Sequence, residues 1–453
     1  MTAVISFCGL CLLLVVGKLL RVKIKLFQKL YLPSSVIAGI LGLILLTTCK
    51  EYIPPEWVAG WSKLPGFLIN IVFAGLFLGV QIPGIKKIWG IAGPQLCYGQ
   101  IVAWGQYLVG IGLVLVLLGP LFGVPDQFGV IIPVGFEGGH GTAGGLADVF
   151  TKLGWSEGKD FGLASATVGM ICGIIIGMWL INWAVRKGYV SNIRSFDEQS
   201  KEERSGIYPA EKQPDAGRQT VASDSIDSLA LHIALIGIAI LIGYAVKIGF
   251  KELNYYMPLA IQELQVLDSF PLFPLCMIAG LLLQLFLNRI KIGHIVNHEQ
   301  MTRISGTALD FLVVAAISSI RLDLIINNWI PFVSLVTIGV LWNVFCVLWL
   351  AKRLLPKGSW FEQSIAEMGQ SMGVTATGLL LLRTVDPDDK TIAPSAFGYK
   401  QLLHEPFMGG GLWTSIAVPL VITSGGSTVL IISTVAIVFW LVFWRLFLKK
   451  NIA

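Results

Sequence analysis

The chain has 453 residues, of which 55% are hydrophobic and 13% charged, and it carries a formal net charge of +6. So apolar a composition excludes an ordinary soluble domain, and the absence of a basic face outside the loops excludes nucleic acid as a partner. Seven cysteines, mostly inside apolar runs and without metal-ligand spacing, read as inert packing thiols.

Taken in order, the first half shows apolar runs at Ala3–Leu20, Leu32–Thr48, Phe67–Ile85, Gln95–Leu118, Phe128–Leu153 and Phe161–Val185. Each approaches the roughly 20 residues that cross a hydrocarbon core as a helix. The opening Met-Thr-Ala-Val has neither a basic n-region nor a small-residue cleavage site, so the first run reads as a retained span. A polar stretch, Arg186–Ser228, then alternates basic residues with pairs such as Asp197-Glu198 and Glu202-Glu203. It cannot bury a core and reads as a flexible linker. The second half continues with Leu229–Ile248, Phe270–Leu287, Gly306–Ile326, Pro331–Leu350, Ser364–Thr384, Ala393–Val421 and Ser427–Leu448. Tryptophans near span ends (Trp57, Trp61, Trp89, Trp329, Trp360) read as an interfacial belt.

Two runs do not read as plain helices. Phe128–Leu153 contains Gly135-Phe136-Glu137-Gly138-Gly139-His140-Gly141-Thr142-Ala143-Gly144-Gly145, and Ser364–Thr384 contains Met368-Gly369-Gln370-Ser371-Met372-Gly373-Val374-Thr375-Ala376-Thr377-Gly378. Each glycine costs a helix up to about 1 kcal/mol, a cost avoided where the backbone unwinds or another element packs close. If both runs are re-entrant hairpins, 128–153 from outside and 364–384 from the cytoplasm, most of the 33 Lys and Arg fall on the cytoplasmic side. A full crossing of Phe128–Leu153 would put the basic linker outside, against that rule. The expected fold is therefore all-α and polytopic, with the N-terminus outside and the C-terminus cytoplasmic. Residues 1–185 and 229–422 form two inverted repeats of five spans plus a hairpin, joined by the linker 186–228, and 423–453 adds a C-terminal span. Gly141 and Gly373 lie 232 positions apart, close to the 226 between the repeat starts Ala3 and Leu229. Inverted repeats with interrupted helices mark secondary transporters whose site lies at the midplane.

Irregular backbone survives at membrane depth only when buried in protein or lining a wet cavity. Free N–H groups at half-helix N-termini suit a carboxylate, and unwound carbonyls with Thr or Ser hydroxyls suit a hard cation such as sodium. Thr142 in the first tip and Ser371, Thr375 and Thr377 in the second are the leading candidates. The alternative treats the glycines as close-packing spacers and the hydroxyls as back-bonded to their own helices. His140 could titrate, orient a carboxylate or donate a hydrogen bond across the tip. Glu137 is costly at that depth unless paired or facing water, and could bind a cation or proton. Thr167, in the small-residue stretch Ser165–Gly169, and Ser395 are further ion-binding candidates. Lys400 either pairs with Glu405 or balances a substrate carboxylate, and Asp310 and Arg321–Asp323 read as structural pairs.

At Gly138-Gly139-His140-Gly141-Thr142, followed by Ala166-Thr167-Val168-Gly169-Met170-Ile171-Cys172-Gly173, the chain resembles the bacterial sodium/glutamate symporter family. Pro33-Ser34-Ser35-Val36-Ile37-Ala38-Gly39 and Gly373-Val374-Thr375-Ala376-Thr377 are similar to that family's second span and second hairpin. The resemblance follows span order over the whole chain apart from the linker and the last span. It implies sodium-driven glutamate uptake across the inner membrane by a homodimer, whose transport domain carries the hairpins in an elevator-like motion. Carried over by position, Gly138, Gly139, His140, Gly141 and Thr142 form the first tip, and Gly373, Thr375 and Thr377 the second. Substrate binding is expected at Gly139 through Thr142 and at Ser371, Gly373, Thr375 and Thr377, with sodium as coupling ion and no other metal, cofactor or catalytic residue. The chain departs from the family pattern at Glu137, where a small hydroxyl is expected, at Leu381, where a polar residue is expected, and in the charged segment Lys400–Pro406.

Two rival functions stay open. One is transport of another organic anion, a dicarboxylate or hydroxy acid, coupled to sodium or to protons through Glu137 or His140. The other is an intramembrane enzyme with His140 as base, which lacks a nucleophile in register with the hairpins.

Overall fold

The computed structural model describes residues 2–30, 32–58, 60–80, 85–190, 201–258, 262, 267, 270–387 and 390–449. Among these the chain is helical throughout, without strands, and eight helices are long and apolar enough to cross a membrane. The outermost of them are Val4–Lys23, Ser228–Tyr255 and Gly426–Leu448, with only 17%, 28% and 11% of their apolar windows buried. Such bare apolar faces are stable only against hydrocarbon, so the chain is a multi-pass membrane protein.

The first half comprises α1 (Thr2–Lys23), α2 (Ser34–Thr48), α3 (Leu64–Gly75) and α4 (Ile85–Leu113, continued by helical turns to Phe122). A broken element follows, with a tight turn at Asp126–Val130, a wide turn at Pro133–Glu137, α5 (Gly139–Gly145) and α6 (Ala147–Lys152); α7 (Gly158–Arg186) completes it. Within the linker, residues 191–200, including Asp197-Glu198, lie outside the described residues. The remainder is docked rather than free. Lys18 Nζ donates to Ser205 O at 3.2 Å and Gly206 O at 2.7 Å, and Gln300 Nε2 donates to Arg218 O at 2.7 Å. The linker's backbone carbonyls thus find donors on the helix ends, which its polar composition does not reveal.

The second half comprises α8 (Ser228–Tyr255), α9 (Leu272–Arg289), α10 (His298–Ser318), α11 (Leu322–Asn327) and α12 (Trp329–Phe345, continued to Leu354). A second broken helix, α13 (Trp360–Val385), precedes α14 (Ala393–His404), α15 (Leu412–Ser424) and α16 (Gly426–Phe443, continued to Leu448). The run Ala393–Val421, expected as one span, is thus two helices. Pro406 brings no N–H, Gly410 sits at φ +87°, and Leu412 N donates to Pro406 O at 3.0 Å to close the loop.

Both broken elements fold back on themselves. Val134 and Ala143 lie nine positions apart, a separation of about 13 Å in a straight helix. Both nevertheless border Gly162 of α7: a Cβ there would sit 3.0 Å from Ala143 Cβ and 3.5 Å from Val134 Cγ1. The element enters beside Phe161, whose ring lies 5.0 Å from that of Phe128, and leaves beside Gly158, which touches Phe150 and Trp155. In α13 a Cβ on Gly369 would sit 2.7 Å from Gly378 Cα, so the two limbs of this helix also lie side by side. The reversal occurs at Gly373 and Val374, where the helical dihedrals are lost.

Two pairings and two tryptophan placements differ from the sequence reading. Arg321 binds Asp160 of α7 at 2.9 Å instead of Asp323, and Asp160 also accepts the Arg321 backbone N–H at 3.0 Å. Lys400 pairs with Glu367 at 2.7 Å instead of Glu405. Of the supposed belt residues, Trp61 and Trp360 are buried, Trp61 donating to Ser6 O at 3.1 Å. In each case the nearer partner belongs to a helix remote in sequence, which no local spacing encodes.

Candidate functional site

The two tips meet. Gly139 adopts φ +70° and Val374 φ +62°, and a Cβ added to Gly139 would collide with Val374 Cγ1. Only glycine takes the first conformation without strain, and valine takes the second at a real cost, as happens where surrounding structure imposes a tip. Gly169 of α7 lies beneath both: a Cβ there would sit 2.8 Å from Met372 O and 2.5 Å from Phe136.

In the first tip, Gly138 N donates across the wide turn to Pro133 O at 3.0 Å, which opens the helix just before Gly139. The Thr167 hydroxyl donates to Leu163 O at 3.0 Å, so it accepts from His140 Nε2, 2.9 Å away. His140 and Thr167 are therefore brought together. Thr142 is buried with its Oγ1 unpartnered among the described residues, and it faces Gly410 in the loop between α14 and α15. Gly141 points instead at Ile69 of α3, where a Cβ would sit 2.6 Å from Ile69 Cδ1.

In the second tip, Thr375 donates a very short hydrogen bond to Glu405 and accepts from Gln401 Nε2. Thr377 bonds back to Gly373 O at 2.6 Å, and Ser371 donates to Asn343 Oδ1 at 2.6 Å while its carbonyl accepts from Gln106 at 2.6 Å. Thr375, Thr377 and Gly373 gather at one tip, whereas Ser371 faces α12 and α4. Ser395 is exposed on α14, more than a turn before Lys400, and is not among these contacts.

One helix, α14, serves both tips. His404 Nε2 lies 2.6 Å from Glu137 Oε1 in the first broken element, and Gln401 and Glu405 engage Thr375 in the second. One turn earlier Lys400 Nζ binds Glu367 Oε1 at 2.7 Å and Gln370 Oε1 at 3.3 Å, and Gln95 donates to Glu367 Oε2 at 2.9 Å. Lys400 and Glu367 are both fully buried, and Gly99 of α4 makes the room: a Cβ there would lie 2.6 Å from Lys400 Cε. Glu367, Gln370, Gln401, Gln95, Gln100 and Gln106 were missed by the sequence reading. The available signal was polar spacing inside apolar runs, with Glu367 and Gln370 three apart and Lys400 and His404 four apart on one helix face. Leu381 is explained by packing, since its Cδ1 would lie 2.6 Å from a Cβ on Gly177 of α7.

Broken helices whose tips meet inside a membrane protein bring interrupted backbone into its interior, where it persists only if buried in protein or lining a cavity. The family model described as sodium/glutamate symporter matches residues 1–385. The chain belongs to the sodium/glutamate symporter family. No curated protein matches it. As a sodium/glutamate symporter family member it is a multi-pass transporter type, and the matched range holds both broken elements and both tips. The residues of α14 that tie the tips together, Lys400, Gln401, His404 and Glu405, lie beyond the match.

Proposed function

We propose that the protein is a secondary active transporter, not an enzyme, that carries glutamate or a closely related small carboxylate inward with sodium by alternating access. The observation that carries this reading is the contact of the two tips at Gly139 and Val374, because it sets two half-helix N-termini side by side within a family of symporters. The peptide N–H groups around Gly139–Thr142 and Thr375–Thr377 would receive the carboxylate, and Thr142, Thr375, Thr377 and neighbouring carbonyls would offer oxygen to sodium. His140, held by Thr167, would add a donor at the first tip, while Gly141, Gly373 and Ser371 would hold the tips' shape. Glu137, Thr167 and Ser395 are the outlying ion-binding candidates, Ser395 with the least geometric support.

The two halves act in this reading as inverted repeats of 1–185 and 229–422, with 423–453 an added helix. The protein sits in the inner membrane as a homodimer, N-terminus outside and C-terminus cytoplasmic. Purified protein in proteoliposomes, given an inward sodium gradient, is expected to accumulate labelled glutamate; failure to do so with a folded preparation overturns the substrate-and-ion assignment.

A further inference from the structure

We propose that Glu137 is a proton-binding site of the transport cycle, so that this chain couples a proton to transport in addition to the sodium of its proposed symport. The inference goes beyond that reading and starts from a carboxylate at which hydrogen bonding is one-sided. Oε1 of Glu137 faces two donors, His404 Nε2 at 2.6 Å and Gln370 Nε2 at 2.9 Å. Oε2 is buried and, among the described residues, has no partner.

The protonation of its neighbours follows from donors that cannot be anything else. Trp104 Nε1 can only donate and lies 3.1 Å from Gln100 Oε1, so the amide NH2 of Gln100 faces His404 Nδ1 at 3.2 Å. Nδ1 is therefore an acceptor, and His404 is a neutral imidazole giving its one N–H to Glu137. A second proton on Nδ1 would point at the NH2 of Gln100. In the same way Lys400 can only donate, so Gln370 turns its oxygen to Lys400 and its NH2 to Glu137.

The charged and titratable groups around Glu137 are then few. On α14 they are His404, which is neutral, Lys400, which is committed to Glu367 of α13 at 2.7 Å, and Glu405, which is committed to Thr375 and Gln401; on its own element His140 is held by Thr167. On α4 there is Tyr107, and the face of α7 that meets this limb is built of Gly162, Ser165, Ala166 and Gly169. Among the described residues nothing compensates the second carboxylate oxygen, and a buried carboxylate oxygen left without a donor is costly inside a membrane protein. A sodium ion needs a shell of several oxygens, whereas the atoms on Glu137 are nitrogen donors. A proton needs one lone pair. Binding forms an Oε2–H bond with a proton taken from the solution on one face; release on the other face breaks it and restores the carboxylate, with no other bond changed.

The test uses the full chain in proteoliposomes with a trapped pH dye, the potential clamped, and labelled glutamate driven by a sodium gradient. Infrared difference spectra across an acid titration are recorded in parallel. Wild type is expected to acidify the lumen as glutamate enters and to gain a buried carboxylic C=O band on acidification. Glu137→Gln is expected to lose both, and His404→Gln, whose amide still donates to Oε1, to keep both. Sodium-driven glutamate uptake without proton entry overturns the proton site and leaves the symport reading intact. A Glu137-dependent band without any glutamate uptake does the reverse. Proton entry lost in His404→Gln but kept in Glu137→Gln, or a drop in sodium stoichiometry as the only effect of Glu137→Gln, also overturns it. If Glu137→Gln does not fold, absence of the band in wild type overturns the proposal alone.

Discussion

Gly139 and Val374 touch with both backbones in the left-handed region, one in each broken element. That contact is where the two segments stop being separate features of the sequence and become one site. A methyl group on Gly139 has no place, because the direction it would take is filled by Val374. Gly139→Ala is therefore expected to fold but lose at least about tenfold in uptake, since misplacement of about 1 Å costs two orders of magnitude at a positioned site. Initial uptake rates against expression-matched wild type check this.

Lys400 and Glu367 form a fully buried pair joining α14 to α13. Removing one partner leaves a bare charge, so Lys400→Met or Glu367→Gln is each expected to destabilise by about 3–5 kcal/mol. The double variant Glu367→Leu with Lys400→Met is expected to regain most of that loss. Thermal unfolding in detergent, read as a double-mutant cycle, decides it.

Thr375 both donates to Glu405 and accepts from Gln401. Thr375→Val keeps the shape and removes both bonds, with an expected loss of about 1–3 kcal/mol of interaction. Thr375→Ser is expected to retain most uptake. A rise in KM for Val with little change for Ser is the outcome sought in transport kinetics.

Both ends of each broken element are expected to label from the same face. Single cysteines replacing Pro125 and Lys152 should react with an impermeant reagent from one side, and those replacing Lys357 and Lys390 from the other, all four positions being exposed. Opposite-face labelling within either pair would mean that the element crosses the bilayer.

Asp160 accepts both the backbone N–H and the guanidinium of Arg321, pinning the start of α7 to the turn after α10. Asp160 is buried while Arg321 is about half exposed, so the two variants are expected to differ. Asp160→Ala leaves the Arg321 backbone N–H without its acceptor and is expected to cost about 1–3 kcal/mol. Arg321→Ala leaves the buried Asp160 carboxylate without its guanidinium and is expected to cost more, up to about 3–5 kcal/mol. Unfolding midpoints of the two variants make the comparison.

Much of the architecture was legible in the residues. Apolar runs of span length marked the helices, and the glycine clusters at 135–145 and 369–378 marked where helices break, because backbone propensity is a local property of a few neighbouring residues. The tip residues Gly139, Thr142, Gly373 and Thr375 follow from the same local reasoning. The break at Pro406–Gly411 was just as local, with a proline and three glycines in six residues, and was lost only because the flanking apolar runs read as one span.

What the tertiary structure alone decided is partnership. Lys400 has a carboxylate at Glu405 on its own chain segment, yet it binds Glu367, 33 positions away; Glu405 goes to Thr375, and Glu137 meets His404 across 267 positions. Spacing along a helix determines which side chains share a face. Which face of which distant helix arrives opposite them is determined by the packing of the whole bundle, and buried charges bind whatever that packing brings within reach.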